Sequence, residues 1–154
     1  PNKITKKSGF TLIELLVVIA IIATLATVVF VALNPVQRFS DARNSRRWND
    51  VNTMLTAVHE YVVDNGGALP AGVTTQEKQL GTCVTGGNTA CTGAQTACLD
   101  LSTTLAKYLK SIPSDPSNSS GSATTKYSIV ADANNIVTIK ACGAENSQTI
   151  QVSR

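Results

Sequence analysis

Residues 6–33 read KKSGFTLIELLVVIAIIATLATVVFVAL. Between Phe10 and Leu33 a single charged residue, Glu14, interrupts the apolar side chains. As an α-helix this stretch reaches about 36 Å, enough to cross a hydrocarbon core of about 30 Å. Lys3, Lys6 and Lys7 precede it, the layout of an export or membrane signal. An ordinary cleaved signal peptide fits poorly, although Thr24-Leu25-Ala26 offers small residues for a cut. The apolar stretch is longer than the roughly 7–15 residues typical of such a signal. A plain membrane anchor accounts for length and composition but leaves Gly9 and Glu14 without a purpose. A carboxylate in a spanning helix costs about 2.5–3.5 kcal/mol near the middle and less near the end. An anchor gains nothing from that cost, beyond letting the side chain snorkel to the headgroups.

Lys6-Lys7-Ser8-Gly9-Phe10-Thr11-Leu12-Ile13-Glu14-Leu15-Leu16 closely resembles the class III signal of the type IV pilin and pseudopilin superfamily. The resemblance implies a prepilin peptidase/methyltransferase that cuts after Gly9 and methylates the new amine of Phe10. It implies that Glu14 is retained for assembly. A lone carboxylate among apolar side chains is expensive unless paired. On the family precedent, the Glu14 of one subunit meets the Phe10 amine of a neighbour, and that pairing sets the axial register. The resemblance also places the N-terminus in the cytoplasm. Charge alone leaves orientation open, because Arg38, Arg43, Arg46 and Arg47 follow the apolar run.

Asn34-Pro35 comes next. Pro35 cannot donate to the carbonyl of Val31, so a helix running from Phe10 to about Asp64, about 80 Å long, is expected to kink near Pro35. Beyond it, Val51, Leu55, Val58 and Val62 recur on one helical face, widened by Trp48, Met54 and Tyr61. Asp64-Asn65-Gly66-Gly67 reads as a helix stop. Gly81–Ala97 has nine Gly or Thr in 17 residues and reads as a surface loop held by cysteines. Asp100–Ser111 reads as a short helix capped by Asp100 or Ser102, with Leu101, Leu105, Tyr108 and Leu109 on one side. Ser114–Thr125 reads as an exposed Ser/Thr loop. Tyr127–Val130 and Ile136–Ile139 flank turn residues Asp132–Asn135, a hairpin, and Thr149–Val152 adds a third strand. The expected fold class is α+β and pilin-like: a long N-terminal helix packed on a small antiparallel sheet. The expected organisation is a leader at 1–9, an apolar helix half at 10–33, an amphipathic half at 34–65 and a stapled head at 66–154.

The 154 residues carry 13 basic and 10 acidic side chains. The three leader lysines account for the whole excess, so the pI near 8.8 is no argument for nucleic-acid binding, and none specific is expected. The four cysteines Cys83, Cys91, Cys98 and Cys142 lack the close pairs of a structural zinc site. An exported head with a sparse core favours two disulfides. Three pairings are possible. The one favoured is Cys83–Cys91 with Cys98–Cys142. Ile112-Pro113-Ser114-Asp115-Pro116 loosely resembles a calcium-holding loop of pseudopilins. Asp115, with Asn118 and Asp132, offers only three oxygens, so Asp115 is a weak calcium candidate and no metal or other cofactor is expected. The arginines at 38, 43, 46 and 47, interleaved with Asp41 and Asp50, read as a solvated face or one that pairs with neighbouring subunits. His59 reads as a partly exposed surface residue. No nucleophile has a flanking catalytic motif, so no enzyme is expected.

The resemblance thus implies a pilus subunit. It would wait in the inner (cytoplasmic) membrane and then polymerise with copies of itself, through the pilus assembly machinery, into an extracellular filament for adhesion, motility or DNA uptake. A pseudopilin of a type II secretion-like machine shares the same N-terminal chemistry. A minor tip pilin that binds DNA or a surface is the other alternative.

Overall fold

The structure is a computed structural model that describes residues 9–154. The leader up to Ser8, with its three lysines, lies outside the described residues. The chain divides into two units, one running up to Arg38 and the other from Phe39 to Arg154.

The first unit is dominated by helix α1 (Leu12–Leu33), none of whose residues is buried. It starts two residues later than expected, because Thr11 takes extended backbone (φ −83°, ψ 153°) and acts as the N-cap. It ends at Asn34, whose φ of 40° is left-handed and whose N–H bonds back to the carbonyl of Val31 at 3.4 Å. Helix α2 (Pro35–Asp64) then begins at Pro35. The interruption thus falls at Asn34, directly before Pro35, in agreement with the kink expected near Pro35. Proline is well suited to a first helical position, where its missing N–H is not needed. Asparagine is among the few residues that tolerate left-handed backbone.

In the second unit, the rest of α2 lies against an antiparallel sheet of β1 (Lys78–Gln79), β2 (Tyr127–Ala131), β3 (Val137–Ala141) and β4 (Gln151–Ser153), paired in that order. The expected α+β, pilin-like class is the one observed. Val51, Met54, Leu55 and Val58 of α2 meet Tyr127, Ile129 and Ala131 of β2 and Val137 and Ile139 of β3 in one core. Along β3 the burial alternates strictly, as a half-buried strand requires. Trp48 does not join this face and is 40% exposed. The helix stop is as read: Gly66 and Gly67 have positive φ, and the Gly67 N–H closes onto the carbonyl of Val62 at 2.8 Å. The hairpin turn is held by Asp132, whose Oδ1 accepts the amides of Asn134 and Ile136, both at 2.8 Å.

Leu101–Leu109 differs from expectation. It forms successive turns rather than an α-helix. Its bonds alternate between four-residue steps, Leu105 to Leu101 and Leu109 to Leu105, and three-residue steps, Ala106 to Thr103 and Tyr108 to Leu105. Ser102, Thr103 and Thr104 are weak helix formers. Leu101 and Leu105 are nonetheless buried, and the Asp100 carboxylate accepts the Ser102 amide at 2.8 Å.

The disulfides are Cys83–Cys98 and Cys91–Cys142, which corrects the expected pairing. The Cys98 N–H bonds to the Cys83 carbonyl at 2.9 Å, setting those two side by side. The short helix α3 (Gly87–Ala90) carries Cys91 away from Cys83. Gln79, fully buried, ties the same loop to the sheet. It donates to the Gly87 carbonyl at 2.6 Å and accepts the Lys126 amide at 2.9 Å.

Candidate processing and assembly site

The site is built at the start of α1. Gly9 and Phe10 are both exposed, Phe10 at 86%. A Cβ added at Gly9 would meet nothing within 4 Å, and its φ is not left-handed. Nothing in the described chain therefore requires a glycine there.

Thr11 and Glu14 form a reciprocal capping box. The Thr11 Oγ1 accepts the Glu14 N–H at 3.3 Å. The Glu14 Oε2 accepts the Thr11 N–H at 2.8 Å and its hydroxyl at 2.7 Å. Two of the orphan amide donors at the helix start are thereby satisfied. The reading from sequence missed this role for Thr11. The signal was present as Thr11-Leu12-Ile13-Glu14, a Thr followed three residues later by Glu before an apolar run.

The remainder of α1 is suited to an apolar surround. Thr24 donates to the Ile21 carbonyl at 2.8 Å and Thr27 to that of Ala23 at 2.9 Å, so neither hydroxyl needs water. By length and composition the helix is able to cross a membrane.

Residues 4–30 match the family model of the prokaryotic N-terminal methylation motif. The chain carries the type IV pilin signature. No curated protein and no solved structure matches it. The methylation motif implies processing by a prepilin peptidase, and it points to a structural subunit. It ends inside α1, so the head is outside the match.

The remaining sequence candidates lie on α2 and in the segments beyond it. The arginine cluster is not a uniformly solvated face. Arg47 is fully buried, with Nε to Asp115 Oδ2 at 2.6 Å, Nη2 to Asp115 Oδ1 at 2.9 Å and Nη1 to Glu145 Oε2 at 2.7 Å. Arg43 reaches the same Glu145 through Nε at 2.7 Å and Nη2 at 2.5 Å. Arg38 and Arg46 are the exposed ones, Arg46 lying 3.9 Å from Asp50. The calcium candidate is corrected by the same contacts. Both oxygens of Asp115 face the Arg47 guanidinium, which would repel a cation, and Oδ1 also accepts from Ser117. Asn118 Oδ1 accepts the Ser120 amide, and Asp132 Oδ1 accepts those of Asn134 and Ile136 in its own turn. Among the described residues no group of three or more His, Cys, Asp or Glu is placed to hold a metal. His59 is half-buried and faces the carbonyl of Arg154 at 3.2 Å.

Charge pairing shifts this network's protonation. The Arg43 and Arg47 bonds hold the Glu145 carboxyl down at about 2, from an ordinary 4.5. Burial pushes the Asp115 carboxyl up, but the bonds from Arg47 and Ser117 outweigh it and leave it lowered. A carboxyl with a depressed folded-state pKa stabilises the fold above its unfolded value and loses that contribution as pH falls through the folded value. The head is therefore expected to lose thermal stability as pH falls from 4.5 to about 2. Glu145→Gln should flatten that part of a melting-temperature profile. An unchanged slope would show that the ion pair is already screened away.

Proposed function

We propose that the chain is a subunit of a type IV pilus, cut after Gly9, methylated at Phe10 and polymerised through α1. The observation that carries this is a spanning-length apolar helix with no buried residue in the same chain as a head with its own core and two disulfides. Such a surface requires lipid or partner helices. Copies of α1 supply the second once the subunit leaves the membrane. Gly9 is where the proposed cut falls, and the described chain places no demand of its own on a glycine there. Dispersion and apolar packing provide the assembly energy. Glu14 sets register by meeting a neighbour's Phe10 amine, and the break at Asn34-Pro35 lets the helix adjust as it packs.

Mass spectrometry of the N-terminal peptide from native membrane protein tests the first step. A chain starting at methylated Phe10 supports the reading, and an intact leader or a start near Thr27 sinks it. Electron microscopy of sheared material tests the second: long filaments of this chain mark a pilin, and their absence with Phe10 processed points to a pseudopilin. Glu14→Ala is expected to give an inserted, processed subunit that assembles poorly. Filaments at wild-type yield would refute the register role.

A further inference from the structure

The assembly role of Glu14 depends on where its carboxylate is held, and the structure identifies what holds it. Both capping bonds from Thr11 end on Oε2. Among the described residues nothing donates to Oε1. One oxygen is thus anchored to the first turn and the other is left open. The anchoring donors survive maturation, because the Thr11 amide belongs to the Phe10–Thr11 peptide bond and not to the Gly9–Phe10 bond. A glutamate free to rotate about three side-chain torsions would present its charge over a wide arc. It would pay that rotamer freedom on pairing.

We propose that Thr11 is a positioning residue for subunit assembly: its hydroxyl and amide fix Glu14 Oε2 so that Oε1 is presented to the terminal amine of an incoming copy of this chain. This rests on the pilin reading above. The same bonds keep the carboxylate hydrogen-bonded while the subunit is in the membrane, where an unpaired one is costly.

The test uses the full chain with Thr11→Ala and Thr11→Ser. In detergent micelles, Thr11→Ala should speed hydrogen exchange at the Glu14 amide by about fivefold, the size of effect expected from losing one N-cap. In cells, it should lower filament yield per processed subunit several-fold while insertion is unchanged. Thr11→Ser, which keeps the hydroxyl, should restore both. Wild-type yield from Thr11→Ala, or a Thr11→Ser variant as poor as Thr11→Ala, overturns the proposal. Either result with wild-type filaments present leaves the pilin reading intact. A wild-type chain that is never cut after Gly9 removes that reading and this proposal together.

Discussion

Arg47→Met is expected to destabilise the head by about 3–5 kcal/mol, the cost of removing one partner from a buried ion pair. Methionine roughly preserves the volume, so the loss is electrostatic. Both side chains of the Arg47–Asp115 pair have zero solvent exposure. Without the guanidinium, Asp115 keeps only its bonds from the Ser117 amide and hydroxyl, in a position water does not reach. It cannot swing out, because the chain is closed around it: an added Cβ on Gly143 would lie 2.7 Å from its Oδ2. Urea unfolding of the full chain in detergent, followed by the fluorescence of the single tryptophan, Trp48, measures the effect. Replacing both members, Arg47→Met with Asp115→Leu, should recover much of the loss, since a buried pair is often no better than an apolar isostere. A single variant as stable as the wild type would mean that Asp115 is hydrated in solution.

That network also marks where the sequence stops being legible. The apolar run, the helix stop at Gly66-Gly67 and the hairpin around Asp132 were readable because each is a local pattern with a local cause. The N-terminal box was equally local, yet it went unread although Thr11-Leu12-Ile13-Glu14 carries its signal. Arg47 was not readable. Its spacing from Arg43 and Arg46 is that of any exposed helical basic run, and only the return of Asp115 and Glu145 from distant segments turns one of these arginines inward. β1 escaped for a similar reason, since two residues against β2 leave no periodicity. The sequence favoured Cys83–Cys91, which closes a local loop. It could not show that Cys98 hydrogen-bonds beside Cys83, which forces Cys91 outward to β3.

The two disulfides interlock, and this makes their removal unequal. Cys91 lies inside the segment closed by Cys83–Cys98, and its own partner is 51 residues on, beyond β3. In the chain-entropy account a loop of that size restricts the unfolded state by about 4 kcal/mol, against about 3 kcal/mol for a 15-residue loop. Cys91→Ser with Cys142→Ser is therefore expected to lower stability by about 4 kcal/mol and the Cys83/Cys98 double variant by somewhat less. The structural consequences differ as well. Without Cys91–Cys142 the segment keeps its tie through Gln79 and its own internal bridge, so it detaches from the end of β3 as a closed ring. Without Cys83–Cys98 it opens but remains pinned to the sheet. Denaturant midpoints of the two double variants, with limited proteolysis of residues 84–97, separate these outcomes. Equal losses from both variants would show that native packing around the bridges, and not loop length, sets their contribution.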